Sequence, residues 1–181
     1  MNLPKKVLVV VSHPDDELLG CGGTIAKHTA SGDNVDVLIV AEGGTSRQQK
    51  RNRGTLKKYL NKLKDIATKS GEILGVNNVE VLDFPDNRLD SIDLLDLIKV
   101  IENKVNKIQP SIVYTHHHGD LNIDHQKVNQ AVITACRPIP NQSVQKILSF
   151  EVASSTEWNP IGPSFSFQPN YFVDISDHLE K

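Results

Sequence analysis

A chain of 181 residues, of which 38% are hydrophobic and 23% charged, has the composition of an ordinary globular protein. That composition excludes collagen-like, low-complexity and wholly disordered proteins, and the length allows one hydrophobic core without disulfide bonds. Because 20 Lys and Arg residues stand against 22 Asp and Glu residues, the chain has no overall basic field, and we expect no nucleic-acid partner.

Short β-branched runs alternate along the chain with segments of helical period, which indicates parallel strands joined by crossover helices. The first two runs are almost continuously apolar, as expected of strands covered on both faces. Strands are predicted, in chain order, over residues 6–11, 35–40, 79–83, 112–115 and 145–152, with a less marked one over 171–174. We expect a Rossmann-like α/β fold of three layers with a mostly parallel sheet in the order 3-2-1-4-5.

Apolar residues at spacings of three and four predict helices between these strands. One helix covers residues 56–74 and ends at Gly75, and another covers 94–108, with Ser91 as its N-cap. A third helix, after residue 122, is expected to bury Val128, Val132 and Ala135. The glycines Gly20, Gly22 and Gly23 lack the spacing of a dinucleotide fingerprint or a P-loop, so their predicted use is close helix packing.

The start of the chain and its cysteines indicate a compartment. Residues 1–6 lack the apolar region and cleavage site of a signal peptide, and the apolar run 7–11 is too short to cross a bilayer. Cys21 and Cys136 are too few for a disulfide framework or a cysteine zinc site, and we expect buried free thiols. We therefore expect a cytoplasmic protein without a transmembrane segment, and a homo-oligomer is left open.

Two groups of ionisable residues follow predicted strands. The first strand runs into Ser12-His13-Pro14-Asp15-Asp16-Glu17, and the fourth into His116-His117-His118-Gly119-Asp120-Leu121-Asn122-Ile123-Asp124-His125. Adjacent acids repel one another unless a cation lies between them, although either Asp of the first group could instead cap a helix. In the predicted strand order the two groups meet at the sheet edge where such folds bind ligands. Two His and one carboxylate are typical of catalytic zinc.

Three motifs together resemble the PIG-L (LmbE-like) family of zinc-dependent de-N-acetylases. They are residues 12–23, Asp83-Phe84-Pro85-Asp86-Asn87 and Gly119-Asp120-Leu121-Asn122-Ile123-Asp124-His125. The similarity runs from the first strand to about Asp177, which implies one deacetylase domain over 1–181. The family implies one Zn²⁺, or another divalent ion, per chain. It also implies removal of an acetyl group from an N-acetylated, GlcNAc-like sugar or sugar conjugate.

The resemblance also implies roles for matched residues. His13, Asp16 and His125 would bind the metal, and Asp15 would be the general base. Asp124 would orient a catalytic group, with helix capping as its alternative. Many family members carry a His where this chain has Asn122, so we expect His116, His117 or His118 to fold back into the site, with His118 as the catalytic candidate.

Three residues are candidates for binding substrate: Arg47, Asp120 and Asn122. Asp120 either binds substrate or simply turns the chain after Gly119. Between Arg47 and Lys64 there are eight basic residues and no acid. A solvated helix face is the favoured reading of this run, and recruitment of an anionic substrate, such as a nucleotide-linked or lipid-linked sugar, is the functional alternative.

Two other functions stay open at this point. One is a metal-dependent amidase that acts on a non-sugar amide, and the other is a noncatalytic nucleotide-binding module. The second leaves the acids and His125 without a use and lacks a dinucleotide fingerprint. Family members usually continue with another helix and a His-containing segment, so, if the natural protein is longer, part of the substrate pocket lies beyond Lys181.

Overall fold

The computed structural model describes residues 3–159 and 166–179. Within these ranges, strands and helices alternate as follows: β1 Lys6–Val11, α1 Asp16–Ala30, β2 Asn34–Ala41, α2 Arg53–Leu74, β3 Asn78–Phe84, α3 Leu94–Ile108, β4 Ile112–His116, α4 Ile123–Ala135 and β5 Lys146–Phe150. Short 3₁₀ turns occur at Leu89–Ser91, Thr156–Trp158 and Ser176–His178. The ends of the expected domain, 1–181, lie outside the described residues, so that prediction stays open.

The five strands form one parallel sheet in the order β3-β2-β1-β4-β5. The predicted fold class and strand order are confirmed. β1 lies at the centre, where Val9 pairs with Val37 of β2 and with Tyr114 of β4. Because β1 and β4 are neighbours and parallel, the segments that follow them emerge side by side at one edge of the sheet.

Alternation along β1 divides the core into two layers. Val7, Val9 and Val11 pack on the side covered by α1 and α2, whereas Leu8 and Val10 pack on the side covered by α3 and α4. All five side chains are fully buried, as the uninterrupted apolar run predicts. The two layers hold the sheet rigidly beneath the loops at its carboxyl edge.

The predicted helices form, with one difference at a cap. α2 ends at Gly75, which adopts a φ of +75° that only glycine takes without strain. α3 starts after Asp93 and not after Ser91, which lies in a 3₁₀ turn and donates its hydroxyl to the carbonyl of Arg88. No helix in the described ranges has the length and apolar character needed to cross a membrane.

The predicted strand over 171–174 is not a strand. Residues 167–175 have no regular structure, and Tyr171 and Phe172 are 54% and 79% exposed. The ammonium group of Lys27 on α1 donates a hydrogen bond to the main-chain carbonyl of Asp174. This segment therefore bonds to a helix side chain and not to a neighbouring strand. An aromatic, β-branched run gains strand structure only when a neighbouring strand offers hydrogen bonds.

The glycines of α1 serve close packing at two of three positions. A methyl group on Gly20 would lie 2.1 Å from the ring of Phe150, and one on Gly23 would lie 2.5 Å from Ile175. A methyl group on Gly22 would meet no atom closer than Leu18, at 3.9 Å. Cys21, between them, is a buried free thiol, and so is Cys136.

Candidate metal centre and active site

Residues from the two predicted groups meet above β1 and β4. His13, Asp16 and His125 each offer a ligand atom, and these atoms lie within 4.8 Å of one another. The Oδ2 atom of Asp16 is 3.3 Å from His13 Nδ1 and 3.3 Å from His125 Nε2. The predicted juxtaposition of segments more than one hundred residues apart is confirmed.

Two of the three spacings between these groups fit the ligands of a tetrahedral metal ion. Zinc ligands at about 2.0–2.2 Å from the ion lie about 3.3–3.6 Å from one another, which matches both 3.3 Å contacts. A direct charge-assisted hydrogen bond would normally be shorter, about 2.7–2.9 Å. Two imidazole nitrogens and one carboxylate oxygen are also donors that zinc prefers, so the residues fit the metal that the resemblance implies.

A second group of possible ligands, His13, Asp86 and Asp124, uses the other side of the His13 ring. His13 Nε2 is 3.1 Å from Asp124 and 3.4 Å from Asp86. An imidazole that binds a metal through Nδ1 keeps its proton on Nε2, so this nitrogen then donates a hydrogen bond to the acids. The second group is therefore better suited to orient His13 than to hold an ion of its own.

Asp124 is held in place by main-chain donors, as it must be if it is to orient the His13 ring. It is fully buried and accepts hydrogen bonds from the main-chain N–H groups of Asn87 and Leu89. The alternative that Asp124 caps α4 is wrong, because Asn122 is the N-cap and its side chain accepts from the N–H of Asp124. The amide nitrogen of Asn122 donates to Asn87, so both ends of that side chain are engaged.

Asp120 lies against the other metal-ligand candidate on α4. Its Oδ2 is 3.1 Å from His125 Nδ1, and its Oδ1 accepts from the N–H of Asn122. The residue is only 1% exposed. A carboxylate that is buried and already hydrogen-bonded at both oxygens is poorly placed to bind substrate, so this role of Asp120 stays a prediction that the geometry disfavours.

The electrostatics of the cluster favour a cation. Burial alone would lower the pKa of His13, but hydrogen bonds and charges from Asp124 and Asp16 raise it to about 10. Burial likewise opposes the charged form of His125, and Asp120 and Asp16 raise its pKa to about 9. The two imidazoles hold the pKa of Asp16 far below its ordinary value, against the effect of burial. Without a metal, protons supply the positive charge that the carboxylates attract.

Of the three consecutive histidines, His116 reaches this cluster. Its ring is fully buried, stacks on His125 at a centroid distance of 3.9 Å, and accepts the N–H of Ser12 through Nε2. Burial lowers its pKa to about 3, so the ring is neutral. His118, the catalytic candidate from the sequence, is exposed and borders a cavity of about 850 Å³ next to Phe150 and Phe167. The structure places His116, and not His118, in the centre, because Nε2 of His116 lies 3.4 Å from Oδ2 of Asp16 at the start of α1.

A family model named for GlcNAc-PI de-N-acetylase (PIG-L) matches residues 8–136, a range that contains all the candidate metal ligands. The chain belongs to the PIG-L family. The predicted membership is thereby confirmed.

Curated relatives of this PIG-L chain carry deacetylase names. It is 31% identical over 183 residues to the diacetylchitobiose deacetylase of Thermococcus kodakarensis, covering 97% of this chain and 66% of that protein. It is 30% identical over 186 residues to an uncharacterized deacetylase, YaiS, of Escherichia coli K12, covering 97% and 85%. A probable N-acetyl-alpha-D-glucosaminyl L-malate deacetylase of Bacillus cereus is 29% identical over 86% of this chain and 71% of its own length.

Solved structures share the fold. An N,N'-diacetylchitobiose deacetylase from Pyrococcus horikoshii superposes with a TM-score of 0.74 at 23% identity, covering 97% of this chain and 66% of that one. The 4-carboxy-2-hydroxymuconate hydratase GalB from Pseudomonas putida KT2440 gives 0.73 at 21% identity, covering 97% and 75%. At such identities the likeness concerns the fold alone, and a hydratase among these structures shows that the fold is not tied to one reaction.

The PIG-L turn after β1 presents Asp15 in an unusual conformation. Asp15 is the N-cap residue of α1, yet its side chain makes no capping hydrogen bond, and its φ of +152° is rare for any residue other than glycine. The capping alternative therefore fails for Asp15. Partial burial and the charge of Asp16 raise the pKa of this carboxyl, whereas both candidate ligand histidines act in the opposite direction. An acid beside a metal site that has no capping bond is suited to proton transfer.

The basic segment that follows β2 is partly neutralised. Arg51 and Arg53 bind the buried carboxylate of Glu42, and Arg53 also pairs with Asp83. Arg47 is exposed in the preceding turn, and no ion pair to it occurs in residues 3–159 or 166–179. The loop that carries Arg47 packs on the turn that carries His13 and Asp16. A methyl group on Gly43, in the same loop as Arg47, would lie 2.4 Å from Pro14. Arg47 is thus an exposed cation without an ion pair among the described residues, on a loop that touches the site.

Sequence reasoning missed two contributors to the site. Asp86 belongs to the second of the three motifs, and its closeness to His13 could have been inferred from the end of β3 at the same sheet edge. Thr156, whose hydroxyl contacts Asp120, follows β5 in a segment without a motif. Nothing in the local sequence distinguishes this threonine from others on the chain.

Proposed function

We propose that this PIG-L protein is a zinc-dependent hydrolase that removes the acetyl group from an N-acetylated sugar or sugar conjugate. The observation that carries the proposal is the cluster of His13, Asp16 and His125 beside Asp15, whose side chain makes no capping hydrogen bond. Deacetylase names among relatives support the reaction class. Because the chain spans 66% of the diacetylchitobiose deacetylase, the activity of the whole protein is part of the proposal.

His13, Asp16 and His125 would hold the ion. Two nitrogen ligands and one oxygen ligand suit zinc better than they suit calcium or magnesium, which prefer oxygen ligands. When bound, zinc supplies Lewis acidity that favours ionisation of water and polarises a carbonyl oxygen. The acids behind the rings, Asp124 and Asp120, keep each imidazole oriented with one nitrogen toward Asp16.

Asp15 performs the proton transfers. Its carboxylate takes a proton from the attacking water as the water oxygen bonds to the acetyl carbon. The C–N bond of the amide then breaks, and the protonated Asp15 returns the proton to the departing nitrogen. Acetate and a free amine are the products, and the carboxylate is regenerated.

The substrate side of the proposal rests on the loops. Arg47 would pair with an anionic group on the substrate, and His118 would meet the substrate at the exposed rim. A non-sugar amide is the rival substrate class. We also propose a cytoplasmic setting, which the two buried free thiols support.

The decisive experiment compares Asp15→Asn with Asp16→Ala. Asparagine keeps the shape of Asp15 but cannot accept the proton, so Asp15→Asn should bind zinc normally and lose at least about 100-fold in acetate release. Asp16→Ala should lose both zinc and turnover. Acetate release from N-acetylglucosamine derivatives and zinc content per chain provide the two readouts. Full turnover by Asp15→Asn, or nucleotide binding that is indifferent to a chelator, would refute the proposal.

A second experiment addresses Arg47. Arg47→Ala should raise KM for an anionic sugar conjugate by up to about fivefold and leave KM for a neutral acetylated sugar unchanged, since one exposed ion pair contributes at most about 1 kcal/mol. Lys50→Ala, an exposed cation three residues along the same loop, is the matched control. An equal KM for the anionic substrate in Arg47→Ala and the parent protein would return this segment to the role of a solvated face.

A further inference from the structure

The Nδ1 side of the His125 ring faces a buried acid that is itself held by hydroxyl groups. Asp120 Oδ2 lies 3.1 Å from His125 Nδ1. The same oxygen accepts a hydrogen bond of 2.6 Å from Thr156 and one of 3.0 Å from Ser155. Both hydroxyls belong to the turn that follows β5, a part of the chain thirty residues beyond His125.

The hydroxyl of Thr156 has only one orientation open to it. Its oxygen accepts the main-chain N–H of Val152 at 2.8 Å, and its single hydrogen is therefore left to point at Asp120. Thr156 is only 4% exposed, so water cannot easily take over either bond. Ser155 lacks such an anchor for its hydroxyl, and it lies 3.4 Å from His125 as well.

This arrangement fixes the state of His125. An acid whose oxygen is pinned in place accepts a hydrogen bond from Nδ1–H, so the proton of the neutral ring stays on Nδ1. Nε2 then carries the lone pair, and this is the nitrogen that lies 3.3 Å from Asp16. If Asp120 rotated away, the ring would lose both its orientation and its preference for this tautomer.

We propose that Thr156 is a positioning residue that acts through Asp120 to present Nε2 of His125 to the metal. The inference rests on the proposed function only in that it requires a metal at His13, Asp16 and His125. It links the turn after β5 to metal affinity. A purely structural role for Thr156, in which its hydroxyl merely satisfies Val152, would affect folding without changing the metal site.

Zinc affinity of threonine variants separates these roles. Thr156→Val keeps the shape and removes the hydroxyl, and it should weaken zinc binding about tenfold, the lower end for partners of a metal ligand. Thr156→Ser, which restores the hydroxyl, should bind within twofold of the parent protein. Thr29→Val is the matched control, because Thr29 also donates a 2.6 Å hydrogen bond, to Leu74, at the opposite end of the sheet.

The measurement is competition for zinc against a chromophoric chelator, with thermal unfolding of the metal-free variants alongside. Unchanged zinc affinity in folded Thr156→Val overturns the inference. A second readout needs no variant: ¹⁵N NMR of the zinc-loaded protein should find His125 protonated at Nδ1, and protonation at Nε2 also overturns it. Because neither readout involves turnover, a protein that binds zinc without cleaving acetylated sugars would refute the proposed function and leave this test intact.

Discussion

Glu17 shows that burying several acids at one turn costs folding free energy, because a buried carboxylate is destabilised in its charged form. The residue is buried beside Asp16, and its carboxylate accepts the main-chain N–H of Asp15. Burial raises its pKa from 4.5 to about 7. The folded, metal-free protein therefore binds a proton at Glu17 more tightly than the unfolded chain does. Its stabilising contribution is complete below about pH 4.5 and is lost as the pH rises through about 7.

We expect Glu17→Gln to relieve this cost at high pH. A neutral amide has no charge to bury, and its oxygen still accepts the N–H of Asp15. The gain in unfolding free energy over the parent protein should be larger at pH 8 than at pH 5, by at most about 3 kcal/mol. Urea unfolding of chelator-treated proteins at both pH values measures it. A gain of equal size at pH 5 and pH 8 would show that Glu17 does not titrate in this range.

Residue-level prediction from sequence succeeded where chemistry was concentrated and failed where a side-chain direction was needed. The grouping of His13, Asp16 and His125 follows from acids and imidazoles placed after neighbouring strands. The choice among three adjacent histidines depends on which ring turns inward. Period-two alternation after Tyr114, which packs on the α1 side of the sheet, argues against His117, and the end of β4 at His116 favours His116 over His118.

At the level of elements, α1 must approach β5 closely so that the turn that carries His13 and Asp16 stays in place. Phe150 at the end of β5 lies against Gly20, and its ring also contacts His116 edge-on at 5.1 Å. A side chain at Gly20 would push the helix that begins with Asp16 away from β5. The absence of a side chain at this position is thus a condition for the site.

Paired glycine substitutions test this packing. Gly20→Ala should lower the unfolding free energy by about 1–3 kcal/mol, because the added methyl group would overlap the Phe150 ring. Gly22→Ala is the control in the same element, just beyond the kink that α1 makes at Cys21. It meets nothing closer than 3.9 Å and should be neutral or stabilising by up to about 1 kcal/mol through helix propensity. Equal losses in both variants by urea unfolding would contradict the packing account.

Elements with a strong apolar period were predictable, and those that depend on a partner were not. α2 and its end at Gly75 follow from spacing and a left-handed cap, which are local features. The segment 171–174 has strand-like residues but lies against α1 and its Lys27, a contact that no local pattern reveals. β5 is shorter than predicted because the hydroxyl of Thr156 takes the N–H of Val152 and starts a turn.

At the scale of the whole molecule, the sheet order brings distant segments to one edge and gives the site its charge. Four acids, Asp16, Asp86, Asp120 and Asp124, surround two imidazoles, and all four are buried. Such a set is costly unless a cation offsets it. The apolar runs of the chain predict strands covered on both faces, but they do not by themselves fix the strand order. The acids that orient His13 could not be predicted, because Asp86 and Asp124 come from turns far away from it in sequence.

Anomalous X-ray scattering from a zinc-loaded crystal, measured on both sides of the zinc absorption edge, tests this account most directly. We expect a single peak about 2.0–2.2 Å from His13 Nδ1, His125 Nε2 and an oxygen of Asp16. A peak between Asp86 and Asp124, or no peak beside His125, would contradict the central claim that these three residues hold the ion.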